Sequence, residues 1–381
     1  MPVGWTCEVL VQKEQPLQRI DSEAPNDPDG NILIWNLRYH STSPEVVFKS
    51  QSVITTARFA SFQPNLVIGG TYSGQIVVWD RRSSKRLPVQ RTPLSSQAHT
   101  HPVFCVEVVG TENSHNVITV STDGKLCSWS LDMLSQPQDS LELAASKTNN
   151  RWLAVTSLAC PANDVNSMVV GSEEGNVYGA CRHGNKAGLT DVYERHFGPV
   201  TGVDFNRCSG GPIDFGHLFV SSSFDWTTKL WSSRQTKPLH TFEENADYVY
   251  DVRFSPLHPA LFATVDGTGR LALWDINRDT EIPSASIQNE SKAAINKCAW
   301  APGGKIIGTG DSEGRIHINE VGDTLAEPSG PGEWTKLVHT LADLEAASAA
   351  PVEDSGLCVD SVGSLAGGAG LMNWFSILSG V

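Results

Sequence analysis

Apolar and polar positions along this chain fall into short alternating runs, broken by Gly, Asp and Ser at near-regular intervals. The clearest run is Gly69–Asp80, GGTYSGQIVVWD. Leu66–Gly70 is apolar and β-branched, Tyr72-Ser73-Gly74 supplies a turn in which Gly is free to take positive φ, and Gln75–Asp80 closes on Trp-Asp. This pattern predicts a hairpin of two buried strands.

The closing strand recurs as DGNILIWN (Asp29–Asn36), DGKLCSWS (Asp123–Ser130), DWTTKLWS (Asp225–Ser232) and TGRLALWD (Thr268–Asp275), with degenerate copies EGNVYGAC (Glu174–Cys181) and EGRIHINE (Glu313–Glu320). The anchor positions Trp35, Trp79, Trp129, Ala180, Trp231, Trp274 and Asn319 are separated by 44, 50, 51, 51, 43 and 45 residues. That period suits four-stranded propeller blades with loop insertions. The expected fold is therefore all-β: a seven-bladed Trp-Asp (WD) repeat β-propeller over residues 23–325.

The first blade is expected to be incomplete. Its closing strand, Asn31–Asn36, and an outer strand, Glu45–Phe48, are present, but the sequence before Asn31 offers room for one further strand at most, at Glu8–Val11. A gap beside blades two and seven would then leave apolar surface in water. Blades two and six are expected to carry outer strands at Arg86–Gln90 and Glu281–Ile287. Residues 1–22 form an atypical N-terminal segment. Residues 326–350 are expected to hold a short C-terminal helix, Glu333–Ala350, with Trp334, Leu337, Leu341 and Leu344 on one face. The Gly/Ser-rich tail, 351–381, is expected to be poorly ordered.

Composition narrows the function. The 381 residues are 40% hydrophobic and only 18% charged, as in a folded chain, and five of the eleven tryptophans are repeat anchors. The net charge of −14 weighs against a binder of nucleic acid or anionic membrane. Eight cysteines are scattered without a CxxC pair, which speaks against zinc and for a reducing compartment. Met1–Gln12 has no basic leader with an apolar run, and Gly370–Val381 is too short and Gly-broken to span a bilayer. No phosphate-cradling Gly motif or calcium loop is present, so no cofactor is expected.

One constellation resembles catalytic chemistry. His99, Ser121 and Asp123 recur in order as His196, Ser223 and Asp225. Taken alone, these are a nucleophile, a base and an orienting carboxylate. A structural role fits better, because each set is followed in phase by a tryptophan, Trp129 or Trp231. In that role Asp holds His, and the indole N–H reaches the Ser two residues before the Asp. The basic loop Arg182–Lys186 and the Gly-rich Ser209–Pro212 are expected to be solvated connections. Tyr72, Phe197, Trp226 and Tyr248 are large aromatics at or near turns, and Asp247 adjoins the last of them. Trp226 replaces the usual turn glycine. These five residues are candidates for a partner-binding rim.

The stretches STDGKLCSWSLDML (Ser121–Leu134), VGSEEGNVY (Val170–Tyr178), ACRHGNKAGL (Ala180–Leu189), SSFDWTTKLW (Ser222–Trp231) and ENADYVYDVRFSPLHPALFATVDGTGRLALWD (Glu244–Asp275) strongly resemble the WD-repeat domain of cytoplasmic dynein intermediate chains. The resemblance runs from about Glu23 to Ala346. It implies a non-catalytic subunit of a microtubule motor in the cytoplasm, whose propeller docks on the dynein heavy chain. Light chains and dynactin bind the family through an extended N-terminal segment with no counterpart in these residues. An axonemal or ciliary dynein intermediate chain, a generic WD-repeat peptide-binding scaffold and a hydrolase are the alternatives.

Overall fold

The computed structural model describes residues 7–12, 30–36, 43–145, 151–184, 187–208 and 211–349, with backbone alone for 7–12, 145, 151 and 349. The tail 351–381, and residues 1–22 apart from one strand, lie outside the described residues.

The first sheet joins Cys7–Gln12 (β1), Gly30–Asn36 (β2) and Val46–Ser50 (β3) in the order β1-β2-β3. The second holds Ile54–Ala60 (β4), Gln63–Thr71 (β5), Ile76–Asp80 (β6) and Gln90–Arg91 (β7), and the third Val103–Thr111 (β8), Ser114–Ser121 (β9), Lys125–Trp129 (β10) and Asp139–Glu142 (β11). A two-stranded hairpin, Ala144–Ala145 (β12) and Arg151–Trp152 (β13), follows. Next come Val155–Ala159 (β14), Ser167–Ser172 (β15), Asn176–Cys181 (β16) and Gly188–Glu194 (β17), then Val200–Phe205 (β18), Leu218–Ser223 (β19), Thr228–Ser232 (β20) and His240–Phe242 (β21). The sixth sheet is Val249–Phe254 (β22), Leu261–Asp266 (β23), Arg270–Asp275 (β24) and Ala285–Gln288 (β25). The last is Ile295–Trp300 (β26), Ile306–Asp311 (β27) and Ile316–Glu320 (β28).

Each sheet from β4 to β28 is an antiparallel meander, and the first strands of successive sheets lie side by side. That is the architecture of a propeller, all-β apart from two helices among the described residues. The sheets stack through apolar residues that alternate along each strand. Trp79, Trp129, Trp231 and Trp274 are fully buried at the anchor positions, and each joins the cluster shared with the preceding sheet.

Every inner strand from β4 to β26 breaks register near its start, between Ile54 and Thr56, Val103 and Cys105, Val155 and Ser157, Val200 and Gly202, Val249 and Asp251, and Ile295 and Lys297. The bulge turns one side chain toward the next sheet. Thr55, Thr156 and Thr201 use it to donate their hydroxyls to the carbonyls of Val103, Val200 and Val249, the first residues of the following inner strands. Charged pairs continue the linkage. Glu107 binds Arg58 and, at 3.4 Å, Arg207. Arg253 lies 3.7 Å from Asp204 and 3.5 Å from Asp251, and Lys297 lies 3.4 Å from Asp251.

Three outer strands were not legible in the pattern: Asp139–Glu142, Gly188–Glu194 and His240–Phe242. Two were misplaced. Gln90–Arg91 and Ala285–Gln288 form where Arg86–Gln90 and Glu281–Ile287 were expected, because Pro88 and Pro283 have no N–H to give a ladder. A short helix, Asp323–Ala326 (α1), precedes Gly332–Ala349 (α2). Trp334, Leu337 and Leu341 of α2 are buried with Phe215, Leu239, Phe242 and Ile276 of the fifth and sixth sheets. Asn277 anchors the start of α2 by donating to the Glu333 carbonyl and carboxylate at 3.1 and 2.8 Å. Trp334 lies so close over Gly211 that a Cβ there would overlap its indole.

Candidate functional site

The His/Asp sets sit at the end of the sheets that carries the turns between second and third strands. His196 Nδ1 lies 2.9 Å from Asp225 Oδ2, and the same carboxylate oxygen accepts the Phe197 N–H at 3.0 Å. His196 Nε2 lies 2.7 Å from Ser221 Oγ, which also accepts the Trp231 indole N–H at 2.8 Å. The third sheet repeats this with His99, Asp123, Thr119 and Trp129. There the His–Asp distance is 3.4 Å, and Thr119 Oγ1 lies 2.8 Å from His99 and 2.9 Å from Trp129.

The hydroxyls in the network are therefore Thr119 and Ser221, not Ser121 and Ser223. Side chains alternate along a strand with period two, so Ser121 and Ser223 share a face with Thr119 and Ser221 but stand one pleat nearer the turn. They serve the turn instead. Ser121 Oγ accepts the Asp123 N–H at 3.3 Å. Ser223 Oγ accepts that of Asp225 at 3.2 Å and donates to Gly198 O at 2.9 Å. Ser221, His196 and Asp225 reproduce the bond order of a hydrolase triad, yet Ser221 is fully buried and its oxygen is already engaged by an indole. Burial opposes ionisation of Asp225, but bonds from His196, Thr227 and the Phe197 N–H outweigh it and hold its carboxyl far below the usual range. Burial holds His196 below its ordinary pKa.

The same end of the fifth and sixth sheets carries the aromatic candidates. Trp226 has φ of +69°, in the left-handed region that costs an L-residue about 1–2 kcal/mol. Gly74, Gly124, Gly175, Gly269 and Gly314 take the same turn position in other sheets with φ between +75° and +90°. Asn245 Nδ2 donates to the Trp226 carbonyl at 3.0 Å and fixes the turn. The indole stands edge-on to Tyr248, with centroids 6.5 Å apart. Phe224 joins Tyr248 at 5.0 Å and Tyr250 at 5.4 Å. Trp226, Tyr248 and Phe197 remain 48%, 45% and 95% exposed. Asp247 lies beside them, its Oδ2 within 2.6 Å of where a Cβ on Gly267 would sit. Four candidates thus belong to adjoining turns. Tyr72, 47% exposed, occupies the turn position of Phe224 three sheets away and is not part of the group.

Phe224 and Tyr250 were missed by the sequence reading. Tyr250 stands at the inner-strand bulge where Thr55, Thr156 and Thr201 stand in other sheets, and that substitution was the available signal.

Other candidates resolve locally. Arg182 donates to Val165 O and Ser128 Oγ, while Asn185, Lys186, Ser209 and Gly210 lie outside the described residues. Burial pushes the thiols of Cys105, Cys127 and Cys160 up to about 12, leaving them protonated. Among the described residues no group of three or more His, Cys, Asp or Glu is placed to hold a metal, and no helix is long and apolar enough to cross a membrane.

The model of the WD domain, G-beta repeat, matches residues 236–275, from the outer strand of the fifth sheet to the Trp-Asp of the sixth. The chain is also 54% identical over 325 residues to the cytoplasmic dynein 1 intermediate chain of Drosophila melanogaster. That match covers 85% of this chain but 48% of the relative, so the chain spans about half the relative's length. Over the shared region, this protein is a WD-repeat propeller homologous to the cytoplasmic dynein intermediate chains.

Proposed function

We propose that this chain is a non-catalytic intermediate-chain subunit of a cytoplasmic dynein complex, and that its propeller is a rigid scaffold for the dynein heavy chain. The homology supports the dynein assignment and a cytoplasmic, microtubule-associated location. In this reading residues 23–325 form seven blades. The three-stranded sheet β1–β3 is an incomplete first blade, and 326–350 is a helical brace on the opposite face from the aromatic rim. Light chains and dynactin would be partners of the longer protein, through segments outside the propeller.

The single observation that carries the docking surface is Trp226. A bulky residue is held here in a glycine conformation and still leaves about half of its ring in solvent, at a turn position where the other sheets use glycine. Such strain is kept where the side chain has another use. Phe197, Trp226, Asp247 and Tyr248 are the proposed anchor of the heavy chain on this rim. Capture of a purified heavy-chain tail fragment by the immobilised chain tests the assignment. Capture that is lost with Trp226→Gly supports the rim, and no capture by the wild-type chain rejects the heavy-chain reading.

A further inference from the structure

A groove of about 820 Å³ lies between the fourth and fifth sheets, at the end opposite the aromatic rim. It opens where Gly179 stands one residue before the anchor position. Val78, Leu230 and Leu273 fill the same register in other sheets. A Cβ on Gly179 would meet Thr190 Oγ1 at 2.8 Å, so β17 closes directly over the bare backbone and the space below stays open.

The lining is chemically one-sided. Val169, Phe205 and Tyr193, each at most 3% exposed and in the cluster shared by the fourth and fifth sheets, line it with apolar surface. Asp164, Asp191 and Asp214 line it as well, and no lysine or arginine does so among the described residues. The bonds to these carboxylates come from neutral donors. Asp164 accepts the Asn166 N–H at 2.8 Å, and Asp214 accepts the Gly216 N–H and the Asn163 amide, both at 2.8 Å. The Ser167 hydroxyl holds the Asp164 carboxyl below its usual range, so it is ionised at neutral pH. His217, also in the lining, is kept below its ordinary pKa by burial and then by Arg234, so it adds no compensating charge. Tyr193 has no hydrogen-bond partner for its hydroxyl among the described residues, although the residue is 98% buried, being 2% exposed. Burial and the Asp191 charge push its pKa up to about 12, which leaves a proton to donate and lone pairs to offer.

We propose that this groove is a second binding site, separate from the rim, that receives an arginine side chain of a protein partner. The aliphatic stem covers Val169 and Phe205, and the guanidinium meets the carboxylates and the Tyr193 oxygen. Arginine matches because its fork satisfies several acceptors at once and its weakly hydrated plane tolerates an apolar floor. The volume lies in the range of small-ligand clefts. Nothing in this assignment depends on which chain occupies the rim.

Methyl NMR of the chain carrying 13C-methyl valine tests it, with Val169 as reporter and exposed Val89 as control. The probe is N-acetyl-arginine N-methylamide, and the comparison is its citrulline analogue, which keeps the stem and loses the charge. The Val169 methyls should shift saturably with the arginine probe while those of Val89 stay fixed. The citrulline analogue should bind roughly tenfold more weakly, the scale of one charge-assisted bond. Asp191→Asn, at an exposed position bonded to no described group, should weaken the arginine probe similarly without altering the fold. Val169 methyls that do not respond, equal binding of both probes, or unchanged binding in Asp191→Asn each overturns the proposal.

Discussion

Replacing Trp226 separates strain from packing. At φ of +69° the residue gives up about 1–2 kcal/mol that glycine would not. Against this, the indole is 48% exposed, so about half its surface is covered. Roughly 100 Å² at ~25 cal/mol per Å² is about 2.5 kcal/mol of burial. Trp226→Gly should therefore cost only about 0.5–1.5 kcal/mol of fold stability, while Trp226→Ala loses the same ring but keeps the unfavourable φ. Alanine should be the less stable variant by about 1 kcal/mol, the reverse of their order in ordinary strand or helix. Both should weaken capture of a heavy-chain tail fragment by about 2 kcal/mol or more, close to thirtyfold. Urea titration of the three proteins and biolayer interferometry against the fragment supply the two readouts. An alanine variant as stable as the glycine one would refute the strain argument. Wild-type affinity in both would refute the anchor.

Three further outcomes follow from the geometry. Ser221→Ala strands His196 and the Trp231 indole in the interior and should cost about 1–3 kcal/mol, whereas Ser223→Ala should cost less, a difference that paired thermal melts resolve. Stability measured from pH 8 downward should fall first below about 6.5, where the unfolded chain takes up protons that buried His196 resists. It should fall again below about 4, as the unfolded-state carboxylates protonate and the depressed Asp225 does not. Asp225→Asn should flatten that second fall, and an unaltered acid limb would count against the network. Leu337→Ala removes a fully buried side chain from the α2 interface and should cost about 2–5 kcal/mol by urea unfolding. A cost under 1 kcal/mol would mean that the helix does not brace the sheets.

The closing strands were plain in the sequence because Trp79, Trp129, Trp231 and Trp274 carry both the period and the burial. Outer strands were hidden or misplaced because residues such as Asp139–Glu142 and Ala285–Gln288 are mostly exposed on both faces, so no alternation marks their bounds. The hydrogen-bonded hydroxyl was misassigned for a related reason. Ser121 and Thr119, or Ser223 and Ser221, are equivalent in composition and differ only by one pleat, which a pattern of residue types does not resolve. Trp226 was legible as an oddity in a glycine position, while its partners Phe224 and Tyr250 became visible only when adjoining turns were brought together. The groove at Gly179 had no local signal, since a missing side chain matters only once its neighbours close around it.

The hydroxyl ties at the inner-strand bulges bear on how the molecule comes apart. In an open solenoid each unit meets its neighbours mainly through apolar faces, and terminal units fray separately. Here Thr55, Thr156 and Thr201 fasten one sheet to the carbonyl that opens the next, and Glu107 clasps arginines from two different sheets. Peeling a single sheet away would strand buried acceptors and charges on those it leaves behind. A pull on one edge is thus passed through these ties to the neighbouring sheets, so a sheet held by them resists being peeled away alone.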